Sequence, residues 1–189
     1  MELNEYQKAS RKTLPYLAAD SGLAYLTLGL AGEAGELLEK AFHHAPVEDL
    51  MGELGDVLWC LAQIATEVGL ELESLKAPTD RSVKRAAARN AVESISKGHS
   101  QSLADLCSLL VVNVAAVSEC TKKMLRDDQG VLTPERQEKF SQLLSDVLLS
   151  WHLAAQRAGI EPGVCAAANC EKLASRQQRG VLGGSGDNR

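Results

Sequence analysis

Two pentads hold the residues whose types and spacing could do chemistry. "GEAGE" spans 32–36 and "GELGD" spans 52–56; both read Gly-acid-x-Gly-acid, and their first acids lie 20 residues apart. Residues three apart on a helix share a face, so Glu33 projects with Glu36 and Glu53 with Asp56. Four carboxylates meeting in a partly buried groove repel one another and drive some pKa values up. A divalent cation removes that penalty, and an all-oxygen donor set favours Mg²⁺, with Mn²⁺ as a substitute, over zinc. The glycines point the same way. Each costs about 0.8–1 kcal/mol in a helix interior relative to Ala, and Gly32, Gly35, Gly52 and Gly55 gain nothing local for it. Beside a ligand, glycine lets a partner helix or a phosphate approach the backbone closely. One Glu-x-x-Glu alone is the ordinary face of a solvated helix. Two acid pairs with the same glycine framing are expected to form a metal site.

That site needs two adjacent helices. The pattern predicts a helix over 4–14, broken near Pro15, and a second from about 21, carrying Leu23, Leu26, Leu28, Leu30, Leu37, Leu38 and Phe42. "HHAP" at 43–46 ends it, because the residue before a proline avoids the α region. A third helix is predicted over 47–68, with Leu50, Leu54, Leu58, Leu61 and Ile64 on one stripe and Gly69 as its stop. The short connection implies an antiparallel hairpin with the two acid pairs face to face. His43 and His44 are read as the cap of a helix end, not as metal ligands. Trp59 and Trp151 are read as core packing in preference to a base pocket.

Beyond a break at 76–82, helical pattern resumes through "VKRAAARNAVESI" to a stop at 97–100. A long helix follows over 102–125 and a loop over 127–134. Thr133 as N-cap and Pro134 as N1 then open a helix to about 158, stopped by Gly159. A short helix carries "CAAANCEKLASRQQR", and the tail from Gly180 is Gly-rich. No alternating strand pattern occurs, so the expected class is all-α, a helical bundle.

The bulk numbers fit that class. The 189 residues are 45% hydrophobic and 24% charged, and the aromatics are only 4%, so the core must be aliphatic. A net charge of −5, with no long Lys/Arg run, argues against a nucleic-acid polymer as partner. Five cysteines lack zinc-finger or redox spacing, the first residues are polar, and no run approaches 18 uninterrupted apolar residues. A reduced cytoplasmic setting without a membrane span is the expectation.

The chain also echoes itself. "ELGDVLWCLAQIATEVGLE" (53–71) lies over "LLSDVLLSWHLAAQRAGIE" (143–161), so Asp56, Val57, Leu58, Gly69 and Glu71 recur as Asp146, Val147, Leu148, Gly159 and Glu161. "LGLAGEAGELLEK" (28–40) lies over "VVNVAAVSECTKK" (111–123), with a connecting loop expected to be seven residues longer in the second copy. Glu36 and Lys40 meet Glu119 and Lys123, but Ala116 and Leu143 stand where Glu33 and Glu53 would. The reading is a tandem duplication whose second copy has lost its site.

With these residues in hand, "LGLAGEAGELLEK…ELGDVLWCLAQIATEVGL" resembles the MazG-like all-α nucleoside triphosphate pyrophosphohydrolases, whose signature is Glu-x-x-Glu, a spacer, then Glu-x-x-Asp, binding Mg²⁺. "NEYQKASRKTL" is similar to the family's first helix, and "NCEKLASRQQRGVLGGSGDNR" (169–189) to its closing segment. The resemblance covers 1–75 and 165–189; about 90 intervening residues depart from a single-module member. It implies metal ligands Glu33, Glu36, Glu53 and Asp56, and nucleotide or phosphate contacts from Lys40, Asn169, Lys172 and Arg176; of the cluster's glutamates, Glu36 is the first choice to orient the attacking water. It implies hydrolysis of a nucleoside triphosphate to monophosphate and pyrophosphate, in nucleotide-pool house-cleaning. The resulting division is a catalytic module over 1–76, a linker and helix over 77–100, and a degenerate module over 101–189 that replaces a family partner subunit. Two such chains would form a homodimer equal to a family tetramer. The competing expectation is a non-catalytic helical interaction module that keeps a structural metal site. A ferritin-like redox centre would need Glu-x-x-His pairs, and none occurs.

Overall fold

The computed structural model describes residues 1–14, 22–75 and 101–180, and every described segment is helix, turn or loop. Six α-helices are described: α1 Leu3–Ser10, α2 Gly22–Phe42, α3 Val47–Glu67, α4 Leu103–Asp127, α5 Pro134–Arg157 and α6 Pro162–Gln178. The expected all-α class is correct. The breaks at Pro15 and 76–82, the helical stretch through 95 and the tail beyond Gly180 lie outside the described residues.

Local chemistry sets the helix ends. The predicted first helix is shorter than 4–14: α1 ends at Ser10 and tightens into a 3-10 turn, Arg11–Thr13. At the end of α2, His44 takes the left-handed conformation at φ +52°, with Ala45 N bonded to Lys40 O at 3.0 Å and His44 N to Ala41 O. This crossed pair is a Schellman stop. The same pair of bonds ends α3 at Gly69 (φ +71°) and α5 at Gly159 (φ +73°), where glycine carries no Cβ penalty. Ser102 and Asp105 form a reciprocal capping box on α4, and Thr133 caps α5 ahead of Pro134.

The helices pack as two hairpins. α2 with α3, joined by 43–46, makes the first; α4 with α5, joined by 128–133, makes the second. α2 lies on α4 and α3 on α5, giving a four-helix core, while α1 and α6 pack together over α3. The core is aliphatic, with Leu30, Leu54, Leu58, Leu61, Ile64, Leu110, Val117 and Leu144 fully or almost fully buried. Each such side chain contributes roughly 1.5–3 kcal/mol on leaving water. The seven extra residues of the second copy are not all loop. Its connection is six residues against four, and the remainder lengthens α4 at its C-terminus and α5 at its N-terminus.

Side-chain hydrogen bonds tie the hairpins together, among them Gln137 Nε2 of α5 to the Val68 carbonyl at the end of α3, at 2.8 Å. Trp151, fully buried on α5, donates its indole N–H to the Leu54 carbonyl of α3 at 2.8 Å. Thr27 of α2 and Thr121 of α4 bring their hydroxyls to 3.1 Å in the interior. Trp151 is core, as expected; Trp59 is half-buried and bonds Thr13 Oγ1 at 3.0 Å. Leu103–Asp127 is long and apolar enough to cross a membrane by length and composition. Its apolar run is interrupted at Asp105, Ser108, Asn113, Ser118 and Glu119, so no 18 uninterrupted apolar residues occur in it. About half of that window is buried within the bundle, where α4 packs between α2 and α5.

Candidate metal centre

The first hairpin brings three carboxylates together. Oxygens of Glu33 on α2 and of Glu53 and Asp56 on α3 all lie within 4.8 Å of one another. Glu53 is only 1% exposed, while Glu33 and Asp56 are half-buried. Such a group cannot be three bare anions without cost. Lys40, one turn beyond Glu36, pairs with Glu53. Lys172 of α6 reaches both oxygens of Asp56, at 2.7 and 2.6 Å. Glu33 bears the strain that is left. Its carboxyl is pushed up to about 7, chiefly by burial and then by the charges of Asp56, Glu36 and Glu53, against a smaller opposing pull from Lys172.

Asp56 is held from α6 by a second residue besides Lys172. Asn169 on α6 donates its side-chain N–H to Asp56 Oδ1 at 3.0 Å. The other end of that amide accepts the Tyr6 hydroxyl at 2.7 Å. Gly55 makes this approach feasible: a Cβ there would lie 2.7 Å from Asn169 Nδ2 and 2.9 Å from its Cβ. The glycine framing of the pentads is therefore explained sterically at one position. Gly32, Gly35 and Gly52 face open space.

Donor chemistry decides which cation this group fits. It is all carboxylate, with no histidine and no thiolate among the three, so it suits a hard divalent ion in preference to zinc. Cys60 lies close by, but burial first, and then the Glu33 and Asp56 charges, raise its thiol well above the ordinary range, which makes it a poor ligand.

Over an alignment of 90 residues, the chain is 38% identical to the "Gene 37 protein" of Mycobacterium phage L5, covering 40% of this chain and 79% of the phage protein. The chain belongs to the family of that phage protein. The gene 37 name states no activity. No family model matches the chain, and no solved structure does.

In this member of the gene 37 family the residues singled out from sequence sort into three groups. Glu33, Glu53 and Asp56 converge as expected, and Lys40 and Lys172 stand against them. Glu36 is exposed and lies outside the tight trio, although its charge still acts on Glu33. Asn169 and Arg176 are 3% and 6% exposed, so they are built into the interior more than offered to a ligand. Tyr6 was missed. It is 0% exposed. Its partner lies 163 residues away, and no local pattern announces such a bond.

Proposed function

We propose that the protein is a magnesium-dependent nucleoside triphosphate pyrophosphohydrolase of the MazG-like kind, cleaving an NTP or dNTP to the monophosphate plus pyrophosphate in nucleotide-pool house-cleaning. The observation that carries this reading is the convergence of Glu33, Glu53 and Asp56 from two helices of one hairpin. Mg²⁺ held there by these carboxylates would neutralise the triphosphate and lower the pKa of water, supplying hydroxide near neutral pH.

The chain's own residues supply the rest. Glu53 and Asp56 sit one turn apart on a packed helix, so their spacing is set before any ligand arrives. Lys40 and Lys172 are half-buried cations beside the acids and can balance phosphate charge as it moves towards the leaving group. Glu36 is exposed on the same helix as Glu33, within reach of solvent, and is the residue assigned to orient the attacking water and hold its proton. The second hairpin acts as a built-in partner: it offers Ala116 and Leu143 at the echoed positions, both buried, and α6 beyond it brings Asn169 and Lys172 over the first hairpin's acids.

A panel of nucleoside triphosphates with Mg²⁺, read by pyrophosphate release, tests this directly. Glu53→Gln serves as the blank. Release of orthophosphate alone, or no turnover with any triphosphate, rejects the reading. The alternative is a non-catalytic helical module with a structural cation, favoured by the lysines that already engage two of the three acids. It would show cation uptake with no pyrophosphate.

A further inference from the structure

We propose that Tyr6 is a positioning residue that acts through Asn169 to fix the carboxylate of Asp56, and that Asn169 serves the metal centre instead of contacting the nucleotide. This rests on the metal-dependent reading given above. It also reverses the role that the family resemblance implies for Asn169.

A primary amide has a donor end and an acceptor end of nearly the same shape. The Asp56 carboxylate, when ionised, only accepts, so the amide must turn its N–H₂ towards it; the contact is 3.0 Å. Asn169 Oδ1 then faces Tyr6 and requires a donor there. The Tyr6 hydroxyl supplies one at 2.7 Å, inside a fully buried pocket. Burial, the nearby Cys170 and Cys165 thiols and the Asp56 charge push the phenol well above its ordinary range, so it keeps its proton and stays a donor.

The clamp joins three elements that the sequence separates widely: Tyr6 on α1, Asn169 on α6 and Asp56 on α3. Asn169 is 3% exposed and both ends of its amide are engaged, which leaves no free face for a substrate. Gly55 closes the arrangement from below, since any side chain there would collide with the amide. The result is one carboxylate whose plane is fixed from α1 through α6. Outer partners of this kind, when removed, typically weaken metal binding by about 10–100-fold.

The test is Mn²⁺ titration of the intact chain, followed by electron paramagnetic resonance and by calorimetry with no nucleotide present. Tyr6→Phe deletes one oxygen and keeps the ring. It is expected to weaken Mn²⁺ binding about tenfold, and adding it to Asn169→Ala should weaken binding no further than Asn169→Ala alone. Gly55→Ala attacks the clamp from the opposite side and leaves both Tyr6 and Asp56 in place. It should reproduce the weaker binding while the far-ultraviolet circular dichroism stays that of the parent, so the proposal stays testable if Tyr6→Phe folds poorly. For a purely structural tyrosine, Tyr6→Phe would lower the melting temperature and leave the Mn²⁺ dissociation constant unchanged; that result overturns the proposal and leaves the functional reading standing. Absence of Mn²⁺ uptake by the parent chain overturns both.

Discussion

The two hairpins share an architecture and differ in what their facing sides contain. In the first, Glu33, Glu53 and Asp56 meet between α2 and α3. In the second, the echoed positions hold Ala116, Leu143 and Asp146. Ala116 and Leu143 are buried among apolar neighbours, and Glu119, the echo of Glu36, is exposed and pairs with Lys122 and Lys123 on its own helix. Both hairpins end their second helix with the same glycine stop. A helical hairpin thus tolerates either content, and the difference lies in what closes over it. The first hairpin is covered by α1 and α6, which supply Tyr6, Asn169 and Lys172. Carboxylates this close together stay ionised only where cations and donors surround them; an Ala and a Leu need only apolar contact.

That contrast can be broken or sharpened by experiment. The largest effect is expected from Trp151→Ala, which removes the fully buried ring of the second hairpin together with its bond to Leu54 in the first. A loss of about 3–5 kcal/mol is expected, read by urea denaturation as a single transition. Two separated transitions would mean that the hairpins are independent units. Next, Glu53→Gln should lower pyrophosphate release by about 10²–10³-fold, while Glu119→Gln at the second hairpin leaves it unchanged.

Glu33 gives a pH test. Its folded pKa of about 7 stands above its ordinary 4.5, so the folded state prefers the protonated form. Its contribution to stability is therefore fully present below 4.5 and is lost as pH rises towards 7. Cation-free parent protein should lose stability relative to Glu33→Gln across that window, measured by thermal melting, and Mg²⁺ added at pH 8 should close the gap. A constant difference from pH 4 to pH 8 would remove Glu33 from the cluster. The smallest effect is expected at the edge of the second hairpin. Ser102→Ala deletes a capping box and should cost about 1 kcal/mol, with no change in Mn²⁺ affinity.

Much of this was legible in the sequence. Helix limits such as Val47–Glu67 fall close to the predicted 47–68, because Pro46 has no N–H with which to continue the preceding helix and Gly69 takes a positive φ that other residues avoid. The carboxylate trio was legible because i,i+3 spacing is a geometric fact of helices. What periodicity does not carry is which members of a face converge. Glu33 and Glu36 share one side of α2, yet only Glu33 joins the two acids of α3, and Glu36 points to solvent. Nor does local composition show that Gly55 alone among the four pentad glycines faces a close neighbour. The Tyr6 bond to Asn169 depends on how α1 and α6 meet over α3, a tertiary property with no signature in either segment.

The span of that bond has a consequence for biosynthesis. Residue 169 must leave the ribosome before Tyr6 gains its partner or Asp56 its amide donor. Contacts of such long sequence separation form late, because loop closure precedes any gain from them. A nascent first hairpin would hold its acids without the clamp or Lys172 until α6 emerges.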